Sequence, residues 1–179
     1  MKQILFAVAV IAIILVIIFA APIGETTDFL RIHIRANSNS DADQSVKYQV
    51  KSAIVDYLTP YLANATDKKS ATKIIQSRLA DVERIGNEVL SKNGFSYGCN
   101  AKIKQEEFPD RSYNGVTLSA GLYDALIVEL GKAKGNNWWC VVYPPLCFVG
   151  AENNGTNQIV YKSKLMEIIN QWKESHESR

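Results

Sequence analysis

The chain contains 179 residues, with 20 Lys and Arg residues against 18 Asp and Glu residues. This length is enough for one domain with a sizeable core, and the near-neutral charge provides no field that would attract nucleic acid. The histidines and cysteines show no spacing typical of metal ligands, and no glycine-rich turn of the nucleotide-binding kind is present in the sequence. We therefore expect no nucleic-acid partner, no metal, no cofactor and no small-molecule substrate.

The N-terminal part of the chain is a separate apolar segment. Residues 4–21 form an uninterrupted apolar run behind Lys2. At roughly 1.5 Å per helical residue, this run nearly spans a hydrocarbon core of about 30 Å. It also exceeds the apolar stretch of about 7–15 residues in cleaved signal peptides, and Phe19-Ala20-Ala21 fits the small-x-small rule poorly. We predict that residues 1–24 are a membrane anchor, or else a signal peptide, and that residues 25–179 are one exported domain.

The exported domain begins with a predicted strand. Residues 30–35 alternate apolar and basic side chains, which is the pattern of a half-buried β-strand. Its apolar members would face the core, so Arg31, His33 and Arg35 would lie together on the outward face. Asn37 and the polar residues that follow it favour a turn after this strand.

Two helices are predicted between residues 40 and 94. Ser40 or Asp41 can cap the first helix, and Asp43 is placed favourably in its first turn. Asp43 and Lys47 are four residues apart, so they can form an ion pair worth about 0.3 kcal/mol. Pro60 should end or bend this helix. The spacing of apolar residues predicts a second helix from about residue 70 to a stop at residues 93–94.

Strands dominate the second half of the predicted domain. Residues 95–103 alternate apolar and polar side chains, which places Cys99 on an apolar strand face. The strand-like residues 138–143 should pair back against residues 123–130 across a polar hairpin loop. A terminal helix follows over residues 165–172, with Ser163 as its N-cap. This order of elements predicts an α+β domain in which helices cover one side of an antiparallel sheet.

The first segment that suits a partner interface covers residues 30–51. Arg31, His33 and Arg35 share one predicted strand face, and Asn37 and Asp43 lie beside it. A solvated strand face followed by a capped helix would give the same pattern. His33 has no nucleophile beside it in the sequence, and we predict no catalytic residue in this segment.

The second segment contains Trp138 and Trp139. Adjacent strand residues point to opposite faces, so the two rings cannot fill the same core. An exposed aromatic ring beside the rigid Pro144-Pro145 turn would suit a protein interface. If both faces of the sheet are covered, however, both rings are structural.

Cys140 and Cys147 flank the Pro-Pro turn, which could bring their sulfur atoms together. Their separation differs from the Cys-x-x-Cys redox motif, so a structural bridge and two free buried thiols both fit. Export to an oxidising compartment favours the bridge.

Enzymatic motifs are weak in this sequence. Glu106, Glu107 and Asp110 could be imagined as a glycosidase acid/base pair, but acids at a strand end and turn are usually solvated. Ser119 lacks the first glycine of a nucleophile elbow. We predict that the chain is not an enzyme.

Two stretches carry a resemblance to a known family. Residues 30–38 read LRIHIRANS and are followed by Asp43-Gln44 and Lys47, and residues 131–148 read GKAKGNNWWCVVYPPLCF. Both stretches resemble the stage II sporulation protein R family, and the similarity covers essentially the whole exported domain. Cys99 lies outside the family pattern, which agrees with a place in the core.

The resemblance implies a signalling role in endospore formation. The chain would be exported from the forespore into the space between the forespore and mother-cell membranes, either anchored or secreted. There it would activate a membrane-embedded aspartic protease of the mother cell, which processes the sigma factor E precursor. The alternatives are an exported cell-wall hydrolase or binding module, which needs Glu106 or Glu107 paired in a deep cleft, and a thiol oxidoreductase, which needs exposed thiols of low pKa.

Overall fold

The computed structural model describes residues 28–113, 116–147 and 166–174. The apolar N-terminal segment and the predicted cap Ser163 lie outside these ranges. Within them, no helix combines the length and the apolar character that crossing a bilayer requires.

Within these ranges, the elements follow one another as a strand, three helices, five strands and a further helix. They are β1 (Leu30–Arg35), α1 (Asp41–Leu62), α2 (Lys68–Gln76), α3 (Leu79–Lys92), β2 (Cys99–Phe108), β3 (Arg111–Tyr113), β4 (Val116–Leu118), β5 (Gly121–Leu130) and β6 (Asn137–Tyr143). Residues 166–174 form this further helix, α4. The predicted α+β class is confirmed.

The main sheet is mixed, so the prediction of an antiparallel sheet is wrong. Its strand order is β2-β5-β1-β6, in which β1 runs parallel to β5 and antiparallel to β6. The predicted hairpin between residues 123–130 and 138–143 is also wrong, because β1 lies between these two strands. A parallel pair needs a long crossover connection. Helices α1 to α3 lie within the connection from β1 to β5.

The start of α1 agrees with the prediction, whereas the second predicted helix is divided. Ser40 caps α1, because its hydroxyl accepts a hydrogen bond of 3.2 Å from the Asp43 amide, and α1 ends two residues beyond Pro60. The predicted second helix is instead two helices, α2 and α3. Asp67 caps α2 through a capping box, and the Arg78 guanidinium donates to the Ile74 carbonyl in the last turn of α2.

The hydrophobic core lies between α1–α3 and one face of the sheet. Fully buried members of this core in β1, α1 and β5 include Ile32, Ile34, Val50, Ile54, Leu126 and Val128, and α2, α3 and β6 add Ile75, Val82 and Val142. We call the opposite side of the sheet the second face. The β3–β4 hairpin, the Pro-Pro turn and α4 contribute to a smaller cluster on it, formed by Leu118, Val141, Leu146 and Ile169.

Candidate functional site

The two motif-bearing segments meet at one end of the sheet. The amide of Lys132 donates to the Asn37 side-chain oxygen at 2.9 Å, and the amide of Asn136 donates to that of Asn39 at 2.6 Å. The Gly135 amide also reaches the Ala36 carbonyl at 2.9 Å. We call residues 36–47 and 131–137, together with Tyr97, the polar junction.

Two glycines allow the close contact within the polar junction. Gly131 has a φ angle of +55°, and a side chain there would overlap the Asn37 amide group. A Cβ atom at Gly135 would overlap the Ser38 carbonyl. Glycine at these positions therefore lets the second segment lie directly on the first.

Asp43 is the centre of the junction. Its side chain is buried and accepts hydrogen bonds from the Asn37 amide group at 3.0 Å, from the Ser38 hydroxyl and from the Tyr97 hydroxyl. Burial alone would raise the pKa of Asp43, but the hydrogen bonds from Ser38, Tyr97 and Asn37 outweigh it and lower that pKa below its usual value. Asp43 therefore works as a buried structural anion.

Lys47 is buried beside Asp43 without forming the ion pair that the sequence suggested. Its ammonium group donates to the Gln44 side-chain oxygen at 2.7 Å and to the Asn136 carbonyl at 3.1 Å. The Asp43 carboxylate instead accepts hydrogen bonds from the three neutral donors. Burial lowers the pKa of Lys47. The predicted Asp43–Lys47 pair is wrong, because the loop over residues 131–137 supplies a partner that helix spacing alone cannot show.

Arg31 and His33 are not on an exposed face, which corrects the prediction for this strand. They are 0 % and 4 % exposed. The Arg31 guanidinium lies 4.2 Å from the Phe108 ring centroid and 4.8 Å from that of Tyr123, and it donates to the Tyr113 hydroxyl at 2.8 Å. Aromatic side chains from β2, β3 and β5 therefore enclose a cation that the sequence pattern placed in solvent.

His33 is buried on the same face of the sheet as Arg31. Its ring stacks on Trp139 at a centroid distance of 5.3 Å, and its Nδ1 atom lies 3.3 Å from a Glu106 carboxylate oxygen. Burial lowers the pKa of His33 to about 4. The imidazole is therefore neutral at neutral pH, with Nδ1 positioned to donate to Glu106.

Arg35 joins two carboxylates at the half-exposed end of the second face. It bonds Glu129 at 2.9 Å and also contacts Glu106, while Lys102 bonds Glu129 at 2.6 Å. The hydrogen bond from Lys102 lowers the pKa of Glu129. Glu106 thus bonds cations, and Glu107, the next residue on the strand, points to the other face. These positions do not form the carboxylate pair that the hydrolase alternative needs.

Trp138 and Trp139 lie on opposite faces, as predicted. Trp138 packs against the helix-covered core, and the Lys51 ammonium lies 5.8 Å from its ring centroid. Trp139 packs on the second face, where the Arg111 guanidinium lies 4.9 Å from its ring. Both rings are half-buried, so each contributes to the core and also leaves some surface accessible.

The structure joins Cys140 and Cys147 in a disulfide, with their Cα atoms 6.1 Å apart. The Cys147 sulfur also accepts a hydrogen bond of 3.0 Å from the Val141 amide, so the Pro-Pro turn folds back onto the end of β6. Cys99 is a buried free thiol, as predicted, and burial raises its pKa to about 12.

Tyr97, Phe108 and Tyr113 are site residues that the sequence reasoning did not identify, and Glu106 was considered only as a glycosidase acid. Tyr97 had a signal, because it alternates with Cys99 on an apolar face and its hydroxyl needs a buried partner. The role of Glu106 as a partner of His33 and Arg35 had no signal, since these two residues lie on β1, 73 and 71 residues away in the chain.

The fold and the polar junction define a small α+β domain in which two distant segments are hydrogen-bonded into one polar surface. A family model described as stage II sporulation protein R matches residues 26–153. The protein named stage II sporulation protein R from Bacillus subtilis (strain 168) is 34% identical over 124 residues. The alignment covers 69% of this chain and 55% of that relative, so the chain spans a little over half the relative's length. No solved structure shows significant similarity. The chain belongs to the stage II sporulation protein R family, and the family name assigns it to sporulation.

Proposed function

We propose that this chain is an exported forespore signalling protein that activates a membrane-embedded aspartic protease of the mother cell. The protease then processes the sigma factor E precursor, and all of the proteolytic chemistry belongs to it. The observation that carries the proposal is the convergence of the two motif-bearing segments on the polar junction. Asp43 accepts hydrogen bonds from Ser38, Tyr97 and Asn37 there, and its lowered pKa makes it a weak base, whereas both segments contribute to one defined surface.

A rigid surface suits an activator. The junction is fixed by internal hydrogen bonds through Asn37, Asp43 and Lys47. A surface that is already ordered loses little conformational entropy when it binds. Activation requires only that the chain bind the active arrangement of the protease more tightly than the inactive one, and each tenfold preference corresponds to about 1.4 kcal/mol.

Reconstitution tests this proposal directly. The full chain, the protease in lipid vesicles and the sigma factor precursor are combined, and precursor cleavage is followed over time. We expect rapid cleavage only when both proteins are present, and none when the protease carries a substitution of its own catalytic aspartate. In cells, deletion of the gene should leave the precursor uncleaved. Cleavage by the chain without the protease, or normal processing in the deletion strain, contradicts the proposal.

Arg35 is the basic side chain of β1 that retains solvent exposure, and it offers a graded test of docking. A change to Glu would place a third carboxylate beside Glu106 and Glu129, so the milder Arg35→Gln is preferred. We expect weaker activation that a higher level of secreted variant restores, because mass action offsets weaker binding. Full activity at the lowest expression level would remove Arg35 from the interface.

A further inference from the structure

Strand β6 is an edge of the main sheet as far as the described residues show, since among them it pairs with β1 alone. The Val141 amide points away from β1, because it donates to the Cys147 sulfur. Backbone amides on alternate residues of a strand point to the same side. The amides of Asn137 and Trp139 therefore also point outward, and among the described residues no backbone carbonyl outside the sheet accepts from them.

The disulfide-bonded turn limits this open edge at one end. Its Cys147 sulfur accepts from the outward amide of Val141. The outward backbone groups of residues 137–139 have no partner strand among the described residues. An exposed edge of this kind is a template for another strand.

Basic side chains flank the open edge on both sides of the sheet. Lys51 lies over Trp138 on the helix side, and Arg111 lies over Trp139 on the second face. Within the described residues, neither cation has a carboxylate within ion-pair distance. Lys132 and Lys134, in the loop that leads into β6, are likewise exposed and form no ion pair with a described residue. The edge thus combines unused backbone donors with an excess of positive charge.

We propose that an extended acidic segment of the partner protease adds to β6 as a further strand along residues 137–139. Backbone hydrogen bonds to Asn137 and Trp139 hold the segment, and Lys51 and Arg111 select its acidic side chains. This inference rests on the proposed function, because it names the chemistry by which the chain binds its protease.

Hydrogen exchange resolved to single amides tests the added strand. The full chain in mild detergent is measured alone and bound to the purified protease. The amides of Asn137 and Trp139 should exchange rapidly in the free chain and at least tenfold more slowly in the complex, while the Cys140 amide, which faces β1, is slow in both. A complex that forms without added protection overturns the edge proposal but leaves the proposed function intact. Protection already present in the free chain, whether from a second copy or from another segment of this chain, also overturns it.

Charge variants test the selection of acidic side chains. The double variant Lys51→Glu and Arg111→Glu should bind the protease at least tenfold more weakly. The matched control is Lys69→Glu and Lys92→Glu, which makes the same change in net charge at exposed helix positions. Equal affinity of the two double variants overturns the acidic-segment proposal. If the unmodified chain neither binds the protease nor stimulates it, this result contradicts the proposed function itself and not only the edge proposal.

Discussion

Replacing Asp43 by Asn should destabilise the domain by about 2–4 kcal/mol, because the polar junction is built around a buried anion. The carboxylate accepts from Asn37, Ser38 and Tyr97. A hydrogen bond to a charged group contributes about 1.5–3 kcal/mol, and an Asn side chain offers one acceptor oxygen and no charge to these donors. For a domain of this size, each kcal/mol corresponds to about 2–4 °C, so Tm should fall by roughly 5–15 °C.

Thermal and urea unfolding, followed by tryptophan fluorescence, measure this loss. The control is Asp41→Asn in the same helical turn, where the side chain is exposed and the change should cost only about 0.3–1 kcal/mol. Because the folded pKa of Asp43 is lowered, its contribution is complete above the unfolded pKa of about 4 and is lost as the pH falls through the folded value. The difference in the free energy of unfolding between the wild type and Asp43→Asn should therefore become smaller at acidic pH. Equal destabilisation by the two substitutions would refute this account of the junction.

Three further results are expected. Gly135→Ala should lower the free energy of unfolding by about 1–3 kcal/mol, because its Cβ meets the Ser38 carbonyl, and an unchanged urea midpoint would contradict this. Mass spectrometry after alkylation should label Cys140 and Cys147 only when a reductant is present, whereas labelling without reductant would show free thiols. Replacing Ile14 by Lys should reduce export, since a charge at the centre of such a run costs about 2.5–3.5 kcal/mol on insertion scales, and normal secretion would contradict the anchor-or-signal prediction.

Local signals predicted much of the fold. Alternation identified β1 and the place of Cys99 in the core, and the Ser40 cap located the start of α1. The break between α2 and α3 was not predicted, because the helical spacing of apolar residues continues across it. The sequence pattern alone therefore does not show that one helix ends and another begins there. The features that were predicted correctly depend on residues that are close in sequence. A prediction of this kind is wrong where a contact with a distant residue decides the structure.

The errors in the sheet and the site have one physical origin. A strand inserted between two others leaves no mark in a single sequence, so the position of β1 between β5 and β6 was not predicted. The burial of Arg31 and His33 follows from that same packing. Their alternation with apolar residues indicated a solvated face, but aromatic residues from β2 and β3 cover them. The convergence of residues 36–39 with residues 131–136 likewise depends on the strand order.

The central position of β1 has a consequence for the order of events during the proposed export. Arg31 pairs with Ala125 on one side and with Val141 on the other, so β1 needs partners that follow it by about a hundred residues in the chain. If the chain crosses the membrane N-terminus first, β1 waits on the far side as an unpaired strand until translocation has passed β6. Contacts over such separations also form slowly once both partners are available. If the chain is exported as proposed, the sheet and the polar junction are therefore complete only in molecules whose β6 has crossed the membrane.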